Sequence, residues 1–256
     1  MAGSRLSRRA CLRLLAAGAG AGARALKGGV DGILLLTAVD PSMPESEAIR
    51  AGLAFGAGEA SRLAVLLQRT CRVATTDHHP ESLRTALARG HGGTAYITAL
   101  PAAGLQALVG HGLRSPVVAI VDGDPGASHP HLFTIAMAGD GTKVAAADGC
   151  EHGRLQAWHP TLVRYGAGEL NERFERHTGR QMSSGAWAAW AAIKIAMEAA
   201  LRADSPAPGI AAALRRLTFD AHKGRALSFD ETQRLVQPMY HVASCRGTPR
   251  VMEVEP

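Results

Sequence analysis

The first half of the chain alternates short apolar runs with amphipathic helical patterns, and this alternation limits the possible folds more than any other feature. Residues 30–39 are almost continuously apolar, as in a strand buried on both faces. A helical pattern follows over residues 46–68, with Ser46 as its candidate N-cap. Further strands are predicted at 72–76, 94–100 and 116–122, and further helices at 80–89 and 102–111. This order predicts a parallel sheet with right-handed connections.

The ends of the predicted strands supply the first candidate binding residues. Ligands of open α/β sheets bind outside the carboxyl ends of the strands. The residues selected by this rule are Asp40 after the first strand, Thr98 and Leu100 at the third, and Asp122 at the fourth. Asp and Thr are also common in ordinary turns. Ligand contact and turn formation therefore both remain open for these positions.

A set of motifs in the second half of the chain carries a family resemblance. In order, they are Trp158-His159-Pro160, a charged segment ending in Arg173-Phe174, a small-residue helix with Trp187 and Trp190, and the turn segments 219–224 and 227–230. This order resembles the C-terminal part of type I periplasmic solute-binding proteins of the branched-chain amino acid class. The variant with Trp-His-Pro and paired Trp looks most like the substrate-binding proteins that accompany quinoprotein alcohol oxidation in methylotrophs.

The first half resembles only one lobe of that family. Gly52, Gly56 and Glu59 resemble its first long helix, and residues 131–136 resemble the strand that leaves its first lobe. In the family a second lobe follows, whereas here residues 139–148 lead almost at once to Trp158. The resemblance therefore implies an α/β fold of the type I periplasmic-binding-protein kind, with one complete doubly wound parallel-sheet lobe and a strongly reduced second lobe.

This interpretation divides the chain into five segments. They are an export signal (1–25), the N-terminal part of the first lobe (26–138), a remnant of the second lobe (139–158), helices that return to the first lobe (159–217), and a C-terminal crossing segment with the last strand (218–256).

The resemblance also bears on the site residues. In amino-acid-binding relatives, hydroxyls and N–H groups of the first and third loops hold the ligand carboxylate. Thr98 is the nearest counterpart, but Ala99-Leu100-Pro101 replaces the usual Ser/Thr run, which argues against an α-amino acid. Trp158 could stack on a flat ligand such as pyrroloquinoline quinone while His159 met its carboxylates. Alternatively, Trp158 packs inside the crossing between lobes.

The N-terminal segment is the source of most of the positive charge. The net charge is +6, but five arginines lie in the first 25 residues, so the remainder carries only about +1. Nucleic-acid binding is therefore not supported. Arg8-Arg9 followed by an apolar stretch and Ala23-Arg24-Ala25 predicts a twin-arginine export signal and a periplasmic protein. The alternative is a basic, alanine-rich N-terminal helix.

Signatures of catalysis and metal binding are missing from the sequence. It contains no nucleophile elbow, P-loop or zinc-protease motif. The only tight groups of histidines are His78-His79 and His129-Pro130-His131. The second has Pro130 between its histidines and no neighbouring Cys or Glu, and no metal site is predicted. No cofactor and no catalytic residue are predicted either. Cys71, Cys150 and Cys245 would remain after export, either with one disulfide or as three thiols.

Two further positions are predicted to be structural. Trp187 and Trp190 are three residues apart and share one helix face, which is typical of core packing. Lys223-Gly224 is expected to form a turn with the lysine in solvent.

The predicted function is that of an exported solute-binding component of an ABC-type uptake system. Its ligand would be small and polar or anionic, resembling an amino acid or a quinone cofactor. Its partners would be a membrane permease and, if the chain dimerises, a second copy that completes the cleft. The alternative is a one-lobed interaction or sensor protein of quinoprotein-linked metabolism that binds no ligand tightly. An enzyme of that metabolism has only contextual support.

Overall fold

A computed structural model describes residues 32–76, 82–83, 85, 94–139, 153–205, 207–245 and 248–254. The helices in these ranges are α1 (Ser46–Leu66), α2 (Ala102–Gly110), α3 (Ala167–Thr178), α4 (Ser184–Arg202) and α5 (Ala207–Arg216). The strands are β1 (Gly32–Val39), β2 (Thr70–Thr75), β3 (Thr94–Ala99), β4 (Val117–Asp122), β5 (Leu132–Ala138), β6 (Arg154–Gln156), β7 (Ser228–Phe229), β8 (Leu235–Val236), β9 (Met239–Cys245) and β10 (Thr248–Val254). Of the helix expected at 80–89, the described residues Ser82, Leu83 and Thr85 are helical.

Eight of these strands form one sheet, in the order β10-β9-β6-β5-β4-β3-β1-β2. Strands β2, β1, β3, β4 and β5 are all parallel, as their apolar sequences predicted. Strands β7 and β8 form a separate two-stranded hairpin beside β5, where the backbone N–H of Thr134 donates to the carbonyl of Gln233 at 2.8 Å. The α/β class and the complete parallel-sheet lobe are confirmed.

Helix α4 is the centre of the larger core. Its alanine-rich sequence favours a helix, and the Ser183 hydroxyl accepts a hydrogen bond from the Ala186 N–H at its start. Nearly every residue of the helix is buried, because α4 lies between the sheet on one side and α1 and α5 on the other. Trp187 and Trp190 belong to this core, which confirms the prediction from their spacing.

The two faces of the sheet are covered by different layers. Helices α1, α3, α4 and α5 cover the larger core, whereas α2 and Leu83 cover a smaller core on the opposite face. Because side chains alternate along a strand, Ile97 faces the larger core while Tyr96 and Leu100 face the smaller one. The sheet is therefore doubly wound.

The last strands extend the first-lobe sheet. Strand β6 pairs antiparallel with β5 and with β9, and β10 pairs antiparallel with β9. The described part of 139–158, expected to be a remnant of a second lobe, thus contributes β6 to the main sheet. The sequence of this segment also predicts a short strand near Val144, which lies outside the described residues.

Three local features complete the description. Ser46 is not the N-cap of α1: the cap is Glu45, in the left-handed region at φ 56°, and Ser46 is the first helical residue. Cys71 is a free thiol whose pKa is raised by burial, and Cys245 is disulfide-bonded to a partner outside the described residues. Within the described ranges, no helix is both long and apolar enough to cross a membrane.

Candidate functional site at the carboxyl edge of the sheet

The strand order places a topological switch point between β1 and β3. Chain connections leave these neighbouring strands in opposite directions along the sheet, and ligands of doubly wound folds bind in the resulting crevice. Val39 pairs with Ala99 in the register, and the Asp40 N–H donates to the Ala99 carbonyl at 2.9 Å. The backbones of Asp40 and Leu100 are therefore neighbours where β1 and β3 end.

The two aspartates at this edge reach the surface. Asp40 is partly exposed, and its Oδ1 accepts from the backbone N–H and the hydroxyl of Ser42 at 2.8 and 2.7 Å. Asp122 is exposed and follows an irregularity in the pairing of β4 with β5. Asp40 thus has a turn-forming role already, while Asp122 presents its carboxylate to solvent.

Thr98 and Leu100 lie below the edge and not on it. Both are almost fully buried and face the core under α2. The Thr98 hydroxyl oxygen has no hydrogen-bond partner in the described part of the chain. A ligand at the switch point would therefore meet Asp40 before it met either of these side chains.

Trp158 is a core residue in this structure. Its ring stacks on Trp187 with centroids 5.8 Å apart and planes 7° apart, and its Nε1 donates to Asn171 Oδ1 at 2.8 Å. Its backbone N–H donates to the hydroxyl of Ser184, at the start of α4. One face of the indole is thus taken by Trp187, and the side chain is fully buried. This arrangement corresponds to the packing alternative.

His159, next in the chain, is half-buried. Its Nδ1 lies 2.8 Å from the Thr161 hydroxyl oxygen, and burial lowers the pKa of its imidazole. Of the six candidate binding residues, Asp40, Asp122 and His159 are the ones with exposed surface.

Lys223 is buried, so the expectation that it is solvated was wrong. It is 1% exposed, and its ammonium donates to the carbonyls of Ala157 and Pro238. The ammonium also lies 4.2 Å from the ring centroid of Trp187 and 4.8 Å from that of Tyr240. Carbonyl oxygens and aromatic faces offset the cost of removing the charge from water. Lys223 therefore joins three distant segments of the chain.

A cavity of about 270 Å³ lies at the carboxyl ends of β4 and β5, where the β7–β8 hairpin covers the edge. We call it the hairpin cavity. Its lining includes Gly123 directly after β4, Ala136 and Ala138 from β5, and Leu235 and Gln237 from the hairpin side. The sequence analysis missed it, although Asp122 borders the same loop. The sequence feature that could have indicated this cavity is the polar turn at 230–234, directly before an apolar strand.

The polar groups of the hairpin cavity come mainly from the hairpin turn. Asp230 Oδ1 accepts from the Thr232 N–H and hydroxyl, both at 2.8 Å, and from the Arg234 N–H at 2.9 Å. Partial burial raises the pKa of Asp230, but these hydrogen bonds and the Arg234 charge outweigh it, and the pKa is lowered overall. The Arg234 guanidinium forms an ion pair with Asp124 at 2.7 Å.

A second cavity, of about 430 Å³, lies between α1 and the strands β1 and β2. The Arg50 guanidinium at its rim donates to the Val39 carbonyl at 3.3 Å and pairs with Glu47. The Thr37 hydroxyl lies 3.5 Å from both the Ala74 carbonyl and the Thr75 hydroxyl. Its polar lining is thus already engaged within the protein. The described residues contain no cluster of three or more His, Cys, Asp or Glu side chains that could hold a metal ion.

The fold is shared with solved structures of solute-binding proteins. No protein-family model matches the chain, and no curated protein matches its sequence. An ABC-type branched-chain amino acid transporter from Rhodopseudomonas palustris is 12% identical, with a TM-score of 0.66 over 87% of this chain and 96% of that one. A leucine-, isoleucine-, valine-, threonine- and alanine-binding protein from Brucella ovis, in a closed conformation, is 10% identical, with a TM-score of 0.63 over 88% and 95%.

A third solved structure widens the range of ligands. It is a solute-binding protein of an ABC transporter from Rhodopseudomonas palustris, in complex with 3,4-dihydroxybenzoic acid. It is 10% identical, with a TM-score of 0.54 over 88% of this chain and 97% of that one. At such low identities the likeness establishes the fold alone. The sheet order and these structures together show that the chain has the type I periplasmic-binding-protein fold.

Proposed function

We propose that this protein is an exported solute-binding component of an ABC-type uptake system, without catalytic activity, and that a membrane permease is its partner. The observation that carries this proposal is the β1/β3 switch point, with Asp40 and Asp122 accessible at the carboxyl edge of a fold shared with such proteins. In open α/β sheets this edge is the place where ligands bind, and no catalytic motif competes with that role.

The proposed ligand is a small polar molecule. The solved structures of the same fold include binders of branched-chain amino acids and of an aromatic acid. A quinone cofactor is supported only by the Trp158-His159-Pro160 motif, and the burial of Trp158 against Trp187 weakens that support. In the proposed site Asp40, Asp122 and His159 contact the ligand first. Thr98, Leu100 and Trp158 support it from below.

A solute screen tests this proposal. Thermal-shift measurements on the mature protein against amino acids, aromatic acids and pyrroloquinoline quinone should reveal a stabilising ligand. Replacing Asp40 and Asp122 together by alanine should then weaken its binding at least tenfold in titration calorimetry. Glu175→Ala, at an exposed position of α3, is the matched control and should leave the affinity unchanged. Failure of every solute to bind saturably would refute the proposal.

The affinity should be lower than in a protein with two complete lobes. A second wall closes over the ligand and excludes water, which strengthens each polar contact. In the described part of this chain, β6, β9 and β10 extend the first-lobe sheet instead. The same observation favours the second candidate, a one-lobed interaction or sensor protein, and a screen that finds no ligand would support it. A dimer that supplies the second wall would raise the affinity with protein concentration.

The proposed location is the periplasm. Arg8-Arg9 is the candidate export signal, and the disulfide at Cys245 fits an oxidising compartment. Replacing both arginines by lysine should leave the uncleaved protein in the cytoplasm. Normal export and cleavage of that variant would disprove the twin-arginine interpretation.

A further inference from the structure

We infer that the hairpin cavity binds a small aliphatic amide or amine, and that Gln237 recognises its N–H group. This inference rests on the proposed solute-binding function and refines it. It assigns this class of solute to a place between β4, β5 and the β7–β8 hairpin, separate from the Asp40 and Asp122 surface at the carboxyl edge. It also favours a neutral or cationic solute over an anion.

The first argument is the state of the Gln237 side chain. The residue is 4% exposed and lines the cavity. Its Nε2 donates to the Ala136 carbonyl at 2.9 Å, which fixes the orientation of the amide group. Its Oε1 is buried without a hydrogen-bond partner among the residues the structure describes. A buried acceptor left unpaired is costly, and an N–H donor on a ligand would remove that cost.

The second argument is the shape and polarity of the walls. Val121, Pro125, Leu235 and Met239 contribute apolar surface, and Ala136 leaves room at the β5 side. A volume of about 270 Å³ is below the range typical of drug-sized ligands, so it suits a molecule with a short branched carbon chain. Such a molecule would place its carbons on these walls and its polar end at Gln237 or at the cavity mouth.

The third argument is the charge of the lining. Asp124 and Asp230 are both part of it, against the single cation Arg234, which already pairs with Asp124. The three hydrogen bonds to Asp230 all end on Oδ1, so Oδ2 is left for a further donor. The lining thus carries one net negative charge, which attracts an ammonium group, tolerates an amide and repels a carboxylate.

The larger cavity beside α1 lacks such a signal. Its Arg50 and Thr37 groups already have partners within the protein. Of these two cavities, the hairpin cavity is the one in which a bound solute would complete hydrogen bonding that the fold leaves unfinished.

Three isosteric probes test the chemical class. Isobutyramide, isobutylamine and isobutyrate share one carbon skeleton and differ in charge and in N–H donors. In titration calorimetry on the mature protein at neutral pH, the amide and the amine should bind at least tenfold more tightly than isobutyrate. Equal or tighter binding of isobutyrate would overturn the inference about the class of solute.

Two variants test the place of binding. Gln237→Met keeps the length of the side chain but removes the acceptor, and it should weaken both N–H probes at least tenfold. Gln181→Met, at an exposed position, is the matched control and should change nothing. Ala136→Leu fills the cavity from the β5 side and keeps both the Gln237 side chain and the Ala136 carbonyl that it bonds to, and it should also abolish binding. If both cavity variants bind as the unmodified protein does, the site is wrong.

The outcomes separate this inference from the proposed function. Loss of binding in the Asp40 and Asp122 double variant, with unchanged binding in Gln237→Met and Ala136→Leu, would keep the solute-binding function and reject the hairpin cavity. Binding of no probe to the unmodified protein would reject the cavity as a site for this class. Failure of the wider solute screen is the separate result that would reject the function.

Discussion

The seam between α1 and α4 and the edge beneath the β7–β8 hairpin are held together in opposite ways. At the seam, Gly52 and Gly56 have no side chain, so the two helices approach closely and the Ile193 side chain packs on Gly56. The ring of Trp190 is also buried there. At the hairpin edge, an exposed ion pair and a polar turn enclose a cavity. Close packing thus holds the seam together, whereas polar contacts around a cavity hold the hairpin edge. Binding sites are commonly drawn from such weakly packed regions.

The largest effect that would test this contrast is expected from Trp190→Ala. Trp190 is buried, and its Nε1 donates to Glu59 Oε2 at 2.7 Å. Removing the ring leaves a cavity at the seam, so the free energy of unfolding should fall by about 3–5 kcal/mol. Urea denaturation measures this change. Trp190→Phe, which keeps much of the ring volume, should cost less. A loss below about 1 kcal/mol for the alanine variant would mean that the seam is not tightly packed.

A smaller effect is expected from Gly52→Ala. A methyl group at this position would overlap the carbonyl oxygen of Ala186, so the two helices would have to move apart. Overpacking of this kind costs about 1–3 kcal/mol. Gly110→Ala is the matched control, because a methyl group there meets nothing within 4 Å. In thermal unfolding the control should be neutral or stabilising. Equal destabilisation by both variants would show that helix approach at Gly52 is not the cause.

The smallest effect is expected at the hairpin edge. Asp124 and Arg234 are about half exposed, so Asp124→Asn should lower the free energy of unfolding by about 1 kcal/mol or less. The difference from the unmodified protein should shrink further in high salt. A loss as large as that of Trp190→Ala would remove the distinction between seam and edge.

The sequence predicted the parallel half of the fold better than the rest. The apolar runs of β1, β3 and β4 predict strands that are buried on both faces. The spacing of Trp187 and Trp190 predicts a buried helix face. Strand β6 could not be assigned to the main sheet, because its three residues depend on pairing with β9, which is distant in the chain. Pairing of that kind is set by tertiary contacts and not by local pattern.

The candidate site was predicted in part. Asp40 and Asp122 could be selected because strand ends follow from strand positions. Gln237 could not, because a glutamine before a strand is ordinarily exposed and only the hairpin buries it. Lys223 was misplaced for the same reason, since the rings and carbonyls around it come from separate segments of the chain.

The burial of Lys223 has a consequence for the order of events during folding. Its ammonium bonds to carbonyls 66 and 15 residues away and sits against a ring of α4. A charged group gains nothing from leaving water before these acceptors are in place. Lys223 can therefore become buried only when the segments that carry Ala157, Trp187 and Pro238 are all in place. Contacts between such distant residues slow folding.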